Sequence, residues 1–548
     1  MKKLLYLPTV IAGLWLSSCS DDIGNYDYKD INEVSVDPNA PGSVEEGKTY
    51  ELFAYLDHFN FDPQLNSTFG KTDENAYEYE WKVIPVGAIW ESVDESKIVI
   101  ATTRKLTDVV SLSPGTYSAF FNVKDKETGI TWTTQFRLQI KSMTEEGWLV
   151  LCDNEGKTRL DLICNRNEEE EFASHDILNT YDNDAITDIG DIGRPVKLLF
   201  DRYQQSYSRA MLVTDKDTYC FDGDVFKVGE QNSLRWHFGD SNHPVRIKAS
   251  MNSANAGSNN NLWVIIDDND EIYTLNNTTQ GSMFEFPITK LQGTEPFTPA
   301  PFIAANINQQ AFSPGKEGQG SNPSVMYDAT NRQFVEIKHG SYYPSVMDFS
   351  GDKQLFQNPT GRDMVFMAPS RHGPIYAVLR DPSTKETYFY GFMMHGNGKS
   401  NADSEGWNVQ VCHGKINGPG VENATLFAFH PLHNYIFYAV GGSIYRFNWL
   451  MPDTPATEVI NLSGEEISVL KFNSFRGPFP EYSNASYWQY SRNYRLVVGS
   501  NATALPQEKC GNVRFYNVPD LMQPLSLHKE HNEFGKIIDI VYKERLKK

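Results

Sequence analysis

Two glycines, Gly441-Gly442, separate two runs rich in aromatic and β-branched residues, Tyr435–Val440 and Ser443–Asn448. A two-residue glycine turn admits positive φ without a Cβ clash, so the pattern predicts a β-hairpin. Thr425–Phe429 precedes this hairpin across the turn His430-Pro431-Leu432-His433-Asn434, and Ala456–Leu462 follows it as a fourth run. Such residues suit a pleated, half-buried surface. A meander of three or four strands is one blade of a β-propeller. Looser copies of the unit recur along most of the chain, which confines it to an all-β architecture.

The copies begin after Glu146. Gly147–Cys152 turns at Asp153-Asn154-Glu155-Gly156 and returns over Arg159–Cys164. Val196–Phe200, Ala210–Thr214 and Thr218–Phe221 form a second unit. Arg246–Ser250, Asn261–Asp267 and Glu271–Leu275 form a third, and Pro301–Ala305, Ser324–Asp328 and Gln333–Ile337 a fourth. Asp363–Ala368, Ile375–Arg380 and Thr387–Phe392 form a fifth. The opening stretch is the sixth, and Glu466–Phe472, Tyr494–Ser500 and Val513–Val518 make the seventh. Lys536–Tyr542 is left over, while the first unit lacks a first strand. Pairing the two would close the ring and leave no long free edge. The expectation is a β-propeller of about seven blades over residues 144–543, with 544–548 as a tail. Tyr and Phe number 28 and 32, Gly and Pro 39 and 28, as turn-rich β structure requires.

The N-terminus reads differently. Met1-Lys2-Lys3 is a positive segment, and Leu4–Leu16 is an apolar run of 13 residues. That is too short to span a ~30 Å hydrocarbon core as a helix. Leu16-Ser17-Ser18-Cys19 then resembles a bacterial lipobox. The resemblance implies a signal peptide over residues 1–18 and lipidation of Cys19 as the first residue of the mature chain. Ser20-Asp21-Asp22 resembles the surface-export signal of Bacteroidetes lipoproteins. Residues 19–33 are polar and read as a tether. Later apolar runs fall short of membrane length, so the remainder is expected to be soluble.

Seven short runs come next: Val34–Val36, Thr49–Leu56, Tyr77–Ile84, Lys97–Ala101, Leu106–Leu112, Thr116–Val123 and Thr131–Ile140. Their spacing predicts an immunoglobulin-like β-sandwich over residues 34–143. Tyr77-Glu78-Tyr79-Glu80-Trp81 alternates, which puts Trp81 in its core. Pro114-Gly115-Thr116-Tyr117, Phe120–Asp125 and Thr128-Gly129-Ile130-Thr131 resemble the last hairpin of a PKD-type sandwich. With the tether Gly24-Asn25-Tyr26-Asp27-Tyr28, this stretch is similar to the PKD-like family of Bacteroidetes lipoproteins. Membership would imply a place beside a SusC/SusD-type nutrient importer.

The formal charge is −21, and loss of Lys2 and Lys3 with the signal peptide leaves 47 basic against 70 acidic residues. Such a chain repels phosphate backbones, which argues against nucleic acid as a partner. Beyond Cys19 there are five cysteines and no Cys-x-x-Cys, so neither a zinc ribbon nor a thioredoxin-like motif is supported. Cys152 and Cys164 are near enough in sequence to pair.

Candidate chemistry is sparse. Asp267, Asp268 and Asp270 form a dense acidic turn able to offer calcium oxygen ligands, although the EF-hand spacing is absent and Asp is common in plain β-turns. Glu168–Glu171 reads as a solvated run, and His430 with His433 as a polar turn or a metal pair. No His-Glu-x-x-His and no Gly-x-Ser-x-Gly is present, and no motif implies a cofactor. The long loop Phe475–Tyr490 carries Arg476, Glu481, Tyr482, Tyr487 and Trp488. Its rings either stack on a sugar or peptide ligand or pack the loop on its own blade. Tyr342-Tyr343-Pro344 is a second such stretch.

The reading that follows is a non-enzymatic, lipid-anchored protein of the outer-membrane surface. Its propeller would bind oligopeptide or glycan nutrients beside a SusC/SusD-type transporter. Two alternatives stand: a propeller hydrolase or lyase acting on polysaccharide or peptide, and a structural scaffold. If the aromatic loop only packs, the mouth of the central channel is the next place for a ligand.

Overall fold

The computed structural model describes residues 30–87, 98–165, 170–180, 191–204, 207–222, 228–240, 242–253, 262–276, 283–305, 323–338, 341–349, 354–370, 373–394, 408–473 and 492–544. The protein is all-β and divides into two compact units, Met1–Lys141 and Ser142–Lys548.

The first unit holds β1 (Val34–Val36), β2 (Thr49–Phe53), β3 (Leu65–Ser67), β4 (Tyr77–Pro85), β5 (Val99–Ala101), β6 (Gly115–Asp125) and β7 (Thr131–Lys141). Five of them form a sheet in the order β2-β7-β6-β4-β5, with β2 parallel to β7 and the other pairs antiparallel. β1 and β3 pair separately, and one apolar core joins the two sheets. Alternation along β4 sends Tyr77, Trp81 and Val83 inward. Trp81 is a core residue: its ring lies 4.4 Å from that of Phe121, and its Nε1 donates to the Thr103 carbonyl at 2.8 Å. The run Leu106–Leu112 is a correction. It makes only single bridges, Phe61 to Leu106 and His58 to Val109. Between its buried residues, Leu106 and Val110, Thr107, Asp108 and Val109 are all exposed, so strand alternation is broken.

In the second unit the described strands fall into seven consecutive antiparallel sheets. The first holds β8 (Gly147–Asn154), β9 (Lys157–Asn165) and β10 (Glu171–Ser174). The second is β11 (Pro195–Gln204), β12 (Tyr207–Thr214) and β13 (Thr218–Asp222). The third is β14 (Ile247–Ser253), β15 (Leu262–Asp267) and β16 (Ile272–Asn276). The fourth runs β17 (Ala304–Ala305), β18 (Ser324–Asp328), β19 (Gln333–Ile337) and β20 (Ser345–Val346). The fifth runs β21 (Asp363–Pro369), β22 (Ile375–Arg380), β23 (Thr387–Met394) and β24 (Asn408–Lys415). The sixth is β25 (Phe427–Phe429), β26 (Tyr435–Val440), β27 (Ser443–Asn448) and β28 (Thr457–Asn461). The seventh is β29 (Glu465–Phe472), β30 (Arg495–Ala502), β31 (Gly511–Asn517) and β32 (Ser526–Phe534). The last strand, β33 (Lys536–Lys543), returns to the first sheet and pairs antiparallel with β8. The leftover strand of the sequence thus supplies the missing inner strand.

Apolar clusters tie the second sheet to the third and so on round to the first. Val213 packs with Trp263, Ile266 with Met326, Phe334 with Tyr390 and Phe389 with Phe447. Phe437 shares a cluster with Val498, and Val513 one with Ile163 and Ile540 of the first sheet. Between the first and second sheets, Leu198 N–H donates to Asp539 Oδ2 at 3.2 Å. Both faces of the middle strands are therefore covered. Runs such as Leu262–Asp267 and Ser324–Asp328 are buried from end to end rather than alternating. The arrangement is propeller-like. In the Gly441-Gly442 turn only Gly441 takes positive φ, +57°, and a Cβ on Gly442 would come within 2.6 Å of the Leu462 carbonyl.

Cys152 and Cys164 do not pair. Cys152 faces Arg159 and Cys164 faces Gly147, at opposite ends of the β8–β9 hairpin, and both are free thiols.

Candidate ligand-binding channel

Residues from β11, β14, β21, β25, β29 and β33, with Pro301–Ile303 just before β17, line one cavity of about 480 Å³. All seven sheets therefore contribute their inner edge to one channel. Its volume lies within the ~300–1,000 Å³ usual for small-ligand sites.

The two sides of this channel differ. Sheets four, five and six give rings: Phe302 lies 6.4 Å from Phe366, Phe366 stacks at 6.2 Å on Phe429, and Phe429 stacks at 4.6 Å on Tyr376. Phe302 and Phe366 are half-buried, with ring surface left toward the cavity. Sheets seven, one and two give charge. Lys471 Nζ pairs with Asp539 Oδ1 at 2.7 Å and donates to the Ile540 carbonyl at 2.6 Å. Asp539 also accepts from its neighbours' backbone, Ile540 N–H at 2.8 Å and Leu198 N–H at 3.2 Å. Lys197 Nζ donates to the Lys248 carbonyl at 2.9 Å. Burial holds the Lys197 ammonium below the usual lysine range; Lys471 adds to this and Asp539 opposes it. Asp201 accepts from Ser250 Oγ at 3.0 Å, which in turn accepts from Trp263 Nε1 at 2.8 Å.

The sequence's own candidates lie elsewhere. Cys19, and the loop residues Arg476, Glu481, Tyr482, Tyr487 and Trp488, are outside the described residues. Asp267, Asp268 and Asp270 are described and diverge. Asp267 Oδ1 closes its own turn by accepting Asn269 N–H and Glu271 N–H, at 3.0 and 2.8 Å. Asp268 pairs with Arg246, and Asp270 with Lys248 at 2.7 Å. Among the described residues no three His, Cys, Asp or Glu side chains converge as a metal site. His430 is a turn device: its Nδ1 accepts from Leu432 N–H at 3.1 Å and His433 N–H at 2.8 Å. Its ring stacks on His433 at 4.3 Å, and burial, with His433 beside it, lowers its pKa to about 3. Glu171 is no solvated residue; it is buried and accepts from His531 at 3.2 Å. Tyr342 is exposed, and Tyr343 sits under Lys290 Nζ at 5.6 Å.

The channel residues left one signal in the sequence. Lys197 lies in Val-Lys-Leu-Leu-Phe, Lys471 in Val-Leu-Lys-Phe and Asp539 in Ile-Ile-Asp-Ile-Val. Each is a lone charge within an apolar run of its strand, and each needs a partner that only the fold brings near.

Comparison with known proteins places the first part of the chain. Residues 19–189 match the model of the PKD-like family. The PKD-like match starts at Cys19 and covers all of β1 to β7. It then continues beyond Lys141 through β8, β9 and β10, past the end of the sandwich expected over residues 34–143. No curated protein matches the chain. Among solved structures it is similar to a quinonprotein alcohol dehydrogenase-like protein from Bacteroides thetaiotaomicron, with 12% identity over 93% of this chain and 97% of that one (TM-score 0.38). YCF48 from Cyanidioschyzon merolae follows with 11% identity over 65% and 96% (TM-score 0.29). A triple-arginine mutant of AofleA from Arthrobotrys oligospora has 10% identity over 63% and 89% (TM-score 0.30).

Proposed function

We propose that this chain is a non-enzymatic lipoprotein of the outer-membrane surface that captures oligopeptides for a SusC/SusD-type importer. Cys19 carries the lipid. The PKD-like unit is an immunoglobulin-like sandwich acting as a spacer, and Ser142–Lys548 is a seven-bladed β-propeller presenting its channel. The channel carries the reading, because it sets an aromatic wall opposite a charged one. Peptides offer both apolar side chains and charged ends. The described wall is built mainly of Phe rings, which lack the polar handle that Tyr and Trp bring to sugar binding, so peptide is favoured over glycan.

Three measurements test this. Cys19→Ala should move the protein from the membrane to the soluble fraction, and external protease should remove the wild type from intact cells. Retention of the variant in the membrane contradicts the anchor, and full protection of the wild type contradicts the outward orientation. Purification from detergent-solubilised membranes should bring a SusC/SusD-type pair with it. Recovery of the protein without such a pair contradicts the accessory role.

A further inference from the structure

The channel's asymmetry specifies the ligand further, if the capture reading above holds. Lys197 is the cation with capacity to spare. Its ammonium has three N–H donors, and among the described residues its one hydrogen bond goes to the Lys248 carbonyl. Lys471 is already committed to Asp539 and to the Ile540 carbonyl. Asp539 is in turn held by Lys471 and two backbone N–H groups, and it forms no close ion pair with Lys197. A lysine lining a cavity with unused donors favours an anion small enough to enter. Across the channel stand Phe302, Phe366 and Phe429, in contact with one another over three sheets. A ligand that satisfies both walls carries a carboxylate on an apolar body.

We propose that the channel binds such amphipathic carboxylates, with Lys197 taking the carboxylate and Phe302, Phe366 and Phe429 the apolar group. The carboxylate would add a charge-assisted hydrogen bond to each free Lys197 donor it reaches. A phosphate or sulfate has no use for the aromatic wall, and a neutral apolar molecule none for the ammonium. Two sources share this chemistry, a free arylalkanoic acid and the C-terminal residue of a peptide.

The test uses the full chain carrying Cys19→Ala, titrated calorimetrically with two matched pairs. Phenylacetate is compared with phenylacetamide, and glycyl-phenylalanine with its C-terminal amide. Each acid that binds should do so about tenfold or more tightly than its amide, the usual worth of a charge-assisted hydrogen bond. Binding of the first acid alone assigns the free acid, and of the second alone the peptide end. Lys197→Met should bring acid and amide together, whereas Lys197→Arg should keep the preference. Should Lys197→Met not fold, pH gives the same answer in the wild type. The preference should fade below the ordinary lysine range as Lys197 loses its proton. Lys471, Asp539, Asp201 and Glu544 face the same space and the Lys248 carbonyl holds Lys197, so Lys197→Arg, which stays charged, must hold its preference through that rise. Equal binding of acid and amide to the wild type overturns the carboxylate assignment and leaves the capture reading standing. A preference retained by folded Lys197→Met overturns the role of Lys197. No binding of any probe overturns both.

Discussion

At the scale of single residues, most of the chemistry that looks functional is local architecture. Asp267 ties down a turn, Asp268 and Asp270 are matched by Arg246 and Lys248, and His430 caps the bend between β25 and β26. His430 still has a measurable consequence. In the folded protein it stays neutral down to about pH 3. In the unfolded chain an ordinary imidazole takes its proton near pH 6.5. Between those values the unfolded state holds more protons. The stabilisation is therefore complete above about pH 6.5 and declines as pH falls toward 3, by at most about 1.4 kcal/mol per unit. His430→Asn keeps an acceptor near the two N–H groups and removes the titration. Its unfolding free energy should fall less than the wild type's between pH 7 and 5 in denaturant titrations. Parallel losses would show that the imidazole does not control this window.

At the scale of elements, what the sequence reveals depends on where a strand sits in its sheet. The runs Tyr435–Val440, Ser443–Asn448, Ser324–Asp328, Gln333–Ile337 and Ile375–Arg380 are strands with the same bounds in sequence and structure. They are middle strands punctuated by turns, and all but Ser443–Asn448 are buried on both faces. Four of the outer strands are illegible, whereas Ala456–Leu462 reads as the outer strand Thr457–Asn461. Ser526–Phe534, Ser-Leu-His-Lys-Glu-His-Asn-Glu-Phe, is mostly exposed, and Asn408–Lys415, Glu171–Ser174 and Ser345–Val346 are polar or short. An outermost strand pairs on one side only and faces water, so it needs no apolar pattern, and charge there discourages edge pairing. The inner edge was illegible for another reason. Lys197, Lys471 and Asp539 meet only because seven separate segments close around one axis, and no local spacing records that. The closing strand carries its own expectation. Truncation after Phe534 removes β33, with Ile537, Ile540 and Tyr542 from a shared core, and strips β8 of its partner. The second unit should then lose its cooperative melt, while removal of Arg545–Lys548 should leave it unchanged. Equal melting of the two truncations would contradict closure by β33.

At the scale of the whole molecule, the account joins an anchor, a spacer and a receptor channel in one acidic chain. Its central claim is that the channel, rather than an outer surface, takes the ligand. Ala368 offers the most direct control. It is half-buried on β21, two residues from Phe366 and so on the same side of the strand, and it lines the cavity. Ala368→Trp would fill space between the two walls. The decisive measurement is the melting temperature of wild type and Ala368→Trp, with and without a mixed chymotryptic peptide digest, rich in aromatic C-termini, at saturating concentration. A ligand that binds only the folded state at about a hundred times its Kd stabilises it by about 2.7 kcal/mol, a shift of a few degrees. The account predicts that shift in the wild type and its loss in a folded Ala368→Trp variant. An equal shift in both proteins, or none in the wild type, would contradict it.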